Sequence, residues 1–157
     1  MKALLASLAS LLAVLFSLLG LRQTSTPTLT SPIITAPTLA TTTLAIGNTN
    51  IIVEIADTDT TRAHGLSDRA ALDEKRGMLF VFSTAAYQSF WMKDVHFPLD
   101  IIWLDDNWRV IDITTNISPE SFPKTYTPRA PARYVLEVNS GFASAHHIAI
   151  GAQMVLK

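Results

Sequence analysis

The chain has no cysteine among its 157 residues. That excludes disulfide bonds, thiolate metal sites, a cysteine nucleophile and lipid attachment through an N-terminal cysteine. It leaves the redox compartment open, because exported domains also fold without disulfides. Charge is scarce: 12 basic residues stand against 13 acidic ones, a formal net charge of −1. Nucleic-acid binders carry a basic face or tail, which this balance does not supply, so no nucleic-acid partner is expected. The hydrophobic share of 48% is too high for wholesale disorder and ample for a core. A glycine-rich phosphate loop, a G-x-S-x-G elbow and a dinucleotide fingerprint are all missing. The four histidines, His64, His96, His146 and His147, show no His-x-His or His-x3-His spacing. Neighbouring residues on a helix point about 100° apart, so His146 and His147 do not chelate together, and neither a metal nor a cofactor is expected.

What is present divides into three parts. Residues 3–21 (ALLASLASLLAVLFSLLGL) are uncharged, with Lys2 before them and Arg22 after. Nineteen helical residues reach roughly 28 Å, close to the thickness of bilayer hydrocarbon. Residues 1–22 therefore read as a signal anchor or as a signal peptide. The small residues a signal peptidase wants are poorly placed, and the run is longer than an ordinary signal core, which favours the anchor. Lys2 and the amino terminus favour a cytoplasmic start. The folded part is then expected outside the cytoplasm, tethered to the membrane through residues 3–21, or secreted if the N-terminus is cleaved. Residues 23–43 hold nine threonines and Pro27, Pro32 and Pro37 at five-residue intervals, without charge, and read as an extended tether. Residues 44–157 hold 10 basic and 13 acidic residues, a net of −3, and are expected to form one β-rich domain.

Within that domain short strands dominate. Residues 44–46 suggest a short strand, and 50–57 (NIIVEIAD) alternates as a half-buried strand does, with Ile51, Val53 and Ile55 on one face. N-cap residues at 57–60 predict a short helix over 60–64, closed by Gly65. Strands are expected at 78–82, 88–92, 99–104 and 108–113, with a hairpin turn at Asp105-Asp106-Asn107. In the last of these, Arg109, Ile111 and Ile113 should share a face opposite Trp108, Val110 and Asp112. Pro119, Pro123, Pro128 and Pro131 mark a long irregular connection. Residues 134–138 and 154–156 read as further strands, with helical turns over 140–146. The fold class is mainly β, bordering on α+β: a small β-sandwich or barrel, jelly-roll-like, with one or two short helices, preceded by a hydrophobic N-terminal helix.

Five ordered motifs then become specific. They are His64-Gly65-Leu66-Ser67-Asp68-Arg69, Gly77-Met78-Leu79-Phe80-Val81-Phe82, Phe90-Trp91-Met92-Lys93-Asp94, Pro98-Leu99-Asp100-Ile101-Ile102 and Arg133-Tyr134-Val135-Leu136-Glu137, followed by Gly141 and Gly151. Across about residues 50–157 the chain resembles the bacterial and archaeal family called domain of unknown function 192. The resemblance implies a small protein with an N-terminal export or anchor segment and a jelly-roll-like or barrel fold. It implies no activity. Two departures stand out. Many relatives have a cysteine pair in the proline-rich connection, where this chain has Ser118-Pro119-Glu120-Ser121-Phe122-Pro123, and His147 stands where relatives usually place glycine after a short helix.

The candidate site residues are few. Lys93 and Asp100 flank a short loop between two apolar strands and could meet as a register-fixing ion pair or serve a polar ligand. Arg69 could grip an anion or pin its loop through backbone carbonyls. Glu137 lies on the flank of its strand opposite Tyr134, Leu136 and Val138, where a carboxylate is usually solvated. Next to Asp100 it would form an acid–base dyad. Trp91, Trp103 and Trp108 fall on three successive strands, as core or half-buried packing or as an aromatic wall for a sugar or other flat ligand. Arg69, Trp91, Lys93 and Asp100 are thus the candidate ligand-binding residues. The expected function is an extracytoplasmic binding or accessory module for a small polar ligand, a glycan or an envelope protein. The alternative is a hydrolase using Asp100, Lys93 and Glu137 as catalytic residues.

Overall fold

The computed structural model describes residues 38–157. The expected anchor and the tether up to residue 37 lie outside the described residues. Nine strands and two short helices follow in order. They are β1 (Thr41–Ile46), β2 (Thr49–Ala56), α1 (Asp59–His64), β3 (Arg76–Ala86), β4 (Phe90–Trp91), β5 (Leu99–Leu104), β6 (Val110–Ile117), β7 (Thr125–Tyr126), β8 (Ala132–Asn139), α2 (Phe142–Ala145) and β9 (Met154–Leu156). Thr41, Thr42 and Thr43, read from the sequence as the end of the tether, are the first residues of β1 and pair with β2. Their β-branched side chains suit a strand as readily as an extended spacer. No helix among the described residues is long and apolar enough to cross a membrane.

Seven strands form one sheet in the order β6-β5-β8-β3-β2-β1-β9, and β4 and β7 form a separate ribbon. Every pairing is antiparallel except β2 with β3, which run parallel and are joined through α1. A parallel pair needs such a crossover, and Thr58 starts it. Its hydroxyl accepts from the Thr61 N–H while the Thr61 hydroxyl bonds back to the Thr58 backbone, a reciprocal cap. Gly65 ends the helix at φ 52°, a conformation that favours glycine.

The sheet curls until its two edges meet. Arg109 and Gln153 form an isolated bridge, flanked by Val110 N–H to Ala152 carbonyl at 2.9 Å and Met154 N–H to Trp108 carbonyl at 2.9 Å. The result is a partly closed barrel of one sheet, and the sandwich and jelly-roll forms of the expectation are not what the strands build. All seven strands send residues to a single interior core, among them Leu44, Val53, Leu79, Ile102, Val110, Leu136 and Met154. A second core lies on the other face of β3, β5 and β8. There Met78, Phe80, Ile101, Trp103 and Val135 are covered by Leu66, Leu72, Met92 and Val95 from the connections. Both faces of β5 are therefore buried, which is why 99–104 (LDIIWL) shows almost no polar alternation.

Two sequence expectations fail for local reasons. The register of β6 shifts between Trp103↔Asp112 and Leu104↔Val110, a bulge at Ile111. The extra residue turns the pattern over. Val110 and Ile113 both pack on the interior core and Ile111 on the outer one, so Ile111 and Ile113 do not share a face. The expected strand over 88–92 shrinks to Phe90–Trp91. His147 adopts φ 52° just after α2, the left-handed position where relatives usually have glycine.

Candidate ligand-binding site

A cavity of about 240 Å³ opens beside the outer core, between the end of α1, the start of the β3–β4 connection and the β4 segment. Arg62, Gly65 and Ser67 form one side, Gln88, Ser89 and Trp91 the other, with Phe80, Phe82 and Phe90 as aromatic walls. Gly65 is required here twice. Its φ is positive, and a Cβ would come within 3.3 Å of the Phe80 ring. Phe90 is held edge-on by Phe80 at 4.8 Å and by Trp103 at 5.4 Å between ring centroids, preferred aromatic geometries. The Arg62 guanidinium lies 5.1 Å over the Phe82 ring and is tied to the carbonyls of Asp57 and Val81 and to Asp59. It is a structural post of the cavity wall.

Glu137 contributes the cavity's one carboxyl group. It is 4% exposed, against the expectation of a solvated flank. The alternation along β8 put it on the predicted face. What the sequence did not show is that this face is covered by Leu66 and Leu72 of the segment after α1 and by Met92 and Val95 of the β4–β5 connection. Its neighbours across the sheet are Met78 and Ile101, both apolar and buried. Burial without a compensating partner raises its pKa to about 8. Gly77 permits this close packing of β3 on β8, since a Cβ there would sit 2.8 Å from the Glu137 carbonyl oxygen.

The structure brings three of the five candidates to this cavity: Trp91, Lys93 and Glu137. Trp91 is half exposed, at 50%, whereas Trp103 is fully buried with its indole N–H donated to Thr114. Trp108 stacks on Tyr134 at 3.9 Å. Lys93 is exposed and makes no ion pair among the described residues.

The other two candidates lie elsewhere. Asp100 and Lys93 do not form the proposed hairpin pair, because β4 pairs with β7 while β5 pairs with β6 and β8. Asp100 is fully buried, and its two oxygens accept backbone N–H groups, from Asn116 at 2.9 Å and from Ala143 in the first turn of α2 at 3.0 Å. It fastens β6 and α2 to β5. An Asp100–Glu137 dyad is also excluded. Asp100 is opposite Val138 in register and Ile101 opposite Glu137, so the two carboxyls lie on opposite faces of the sheet. Arg69 neither grips a free anion site nor binds backbone. It makes two parallel hydrogen bonds to Glu54 at 2.8 and 2.7 Å, a fork that the sequence could not pair because the partners are 15 residues apart. The pocket residues that sequence reading missed, Gln88, Ser89, Phe80, Phe82 and Phe90, lie in one stretch from β3 to β4 and become cavity walls only where it meets the end of α1 and Glu137 of β8. Phe80, Phe82 and Phe90 belong to the family-like motifs, but nothing in those motifs marks them as site walls rather than core.

Among known proteins, the family model for domain of unknown function 192, described as "Uncharacterized ACR", matches residues 42–156. A UPF0127 protein of Pyrococcus horikoshii is 33% identical over 90 residues, which covers 54% of this chain and 70% of that protein. Among solved structures, a candidate transcription regulator from Sinorhizobium meliloti superposes with a TM-score of 0.72 at 26% identity, covering 78% of this chain and 98% of that one. A protein of unknown function from Novosphingobium aromaticivorans gives 0.67 at 28% identity, covering 74% of this chain and 84% of that one. The match spans both edges of the curled sheet and every element that lines the cavity, and the chain belongs to the domain of unknown function 192 family.

Proposed function

We propose that this chain is a membrane-tethered, extracytoplasmic binding module that holds a small polar ligand in the Glu137 cavity. The observation that carries the reading is Glu137 itself. Glu137 is 4% exposed and has no protein hydrogen-bond partner among the described residues, and its carboxyl opens into the cavity, where a ligand supplies the partner. Trp91, Lys93 and Gln88 give the same cavity one aromatic and two polar contacts. The location rests on the apolar run over residues 3–21 and the Thr/Pro-rich stretch after it. The hydrolase alternative loses support, because Asp100 faces away from the cavity and no second carboxylate lines it.

One preparation tests both halves. Full-length protein with a C-terminal tag should sediment with membranes and be cut by protease added to spheroplasts. Denatured after purification, it should release a small molecule that is absent from a Ser89→Trp variant, whose indole blocks the cavity mouth. Equal eluates from the two proteins sink the binding reading. A mature N-terminus between residues 20 and 40 replaces the tether with secretion.

A further inference from the structure

The chemistry of the cavity narrows its ligand, and this step rests on the binding reading above. We infer that the site takes one pyranose ring of a glycan chain, with its C–H face on Trp91 and its hydroxyls turned toward Glu137, Gln88 and Lys93. Three observations on the page point that way.

The first is the half-exposed indole of Trp91 at the rim of a cavity walled by the buried Phe80 ring and the partly buried Phe82 and Phe90 rings. The negative face of an aromatic ring attracts the polarised C–H bonds on one side of a pyranose, while the sugar's hydroxyls stay free for polar partners. Because Trp91 stands at the rim, a ring stacked on it leaves its neighbours in a sugar chain outside the cavity. The second is the balance of polar groups. Lys93, a cation beside the cavity with no ion pair among the described residues, opposes an ammonium ligand. The buried carboxyl of Glu137 and the amide of Gln88 can each donate and accept, which matches hydroxyls that also do both. The third is size. A volume of about 240 Å³ falls below the range of about 300–1,000 Å³ that holds drug-sized ligands, and fits a single ring with its neighbours left outside.

The test uses the full chain in detergent, with cellotriose, N,N′-diacetylchitobiose and maltotriose as glycan probes, glucose and N-acetylglucosamine as single sugars, and benzamide as a non-sugar of similar size. The readouts are the indole N–H resonance of Trp91 and the 13C carboxyl resonance of Glu137. At least one oligosaccharide should shift both saturably, at least ten-fold more tightly than its monosaccharide. Trp91→Ala, at unchanged melting temperature, should weaken it at least ten-fold, and Glu137→Gln should alter its affinity while the Trp91 shift persists. Binding of benzamide with no saccharide response overturns the glycan inference and leaves the ligand pocket standing. A monosaccharide that binds as tightly as its oligomer overturns the glycan source. Silence from every probe, at both resonances, overturns the inference and counts against the pocket itself.

Discussion

Two carboxyls of this domain carry opposite pH signatures, and both follow from what surrounds them. Glu137 has a folded pKa of about 8, above its value of 4.5 in an unfolded chain. Below pH 4.5 both states keep the proton, and stability is unaffected by it. Between 4.5 and about 8 the unfolded state releases the proton while the fold retains it, so stability falls with rising pH by about 1.4 kcal/mol per unit at most. Chemical denaturation of the wild type from pH 5 to 9 should show this decline. Glu137→Gln should flatten it and be the more stable protein at pH 9. A Glu137→Gln profile parallel to the wild type would mean that the carboxyl is solvated. Glu54 behaves in the reverse sense. Its hydrogen bonds from Arg69 hold its pKa below 4.5, against some burial, so its contribution is present above that value and is lost as the pH falls through the folded pKa.

Asp100 belongs to the same scale, and here a residue that looked chemical is architectural. Asp100→Ala strands two backbone N–H groups, the buried one of Ala143 and the part-buried one of Asn116. The expected cost is about 2–4 kcal/mol by urea denaturation. Asp100→Asn, which keeps an acceptor for one of them, should cost less. If the alanine variant unfolds at the wild-type midpoint, the fastening role is wrong.

At the scale of elements, the Arg69–Glu54 fork ties the segment after α1 to β2, and so holds one side of the cavity in place. Arg69 and Glu54 are both partly buried, and the geometry is bidentate, which sets the pair apart from exposed ion pairs worth about 0.2–1 kcal/mol. A double-mutant cycle of Arg69→Met and Glu54→Gln should give a coupling of roughly 1–3 kcal/mol at pH 7, shrinking as the pH drops below 4.5. A coupling near zero would make the fork incidental. The elements themselves were largely legible. α1 was readable from the N-cap residues at 57–60 and Gly65, β5 from its apolar run and β8 from the run YVLEV. The bulge in β6 was not, because Ile111 carries no mark of it. The shift arises from the register with β5, a partner that the hairpin turn places but does not phase.

For the whole molecule, closure is the decisive feature. β9 is three residues long, yet it pairs with β1, supplies Met154 to the interior core and lies beside the bridge that joins the sheet's two edges. Truncation after Ala152 should therefore cost roughly 3 kcal/mol or more, a fall in Tm of roughly 10 °C. Leu156→Ala, an exposed position in the same strand, should change stability by less than about 0.5 kcal/mol. A truncated chain that melts with the wild type would show that the barrel does not need its last strand.

Most strand and helix positions and the family resemblance could be read from the chain, because periodicity, caps and turn residues act over a few neighbours, whereas β7 and the short extent of β4 could not. The candidate site could not. Trp91, Lys93 and Glu137 were visible as residues, but Asp100 looked equally available, and Arg69 looked free. Which carboxyl stays unpartnered depends on where backbone N–H groups and guanidinium groups from distant elements arrive. Asn116 and Ala143 reach Asp100, Arg69 reaches Glu54, and nothing polar among the described residues reaches Glu137. Desolvation and hydrogen bonding are properties of a neighbourhood, and only the curling of the sheet and the connections that cover β3 and β8 assemble that neighbourhood.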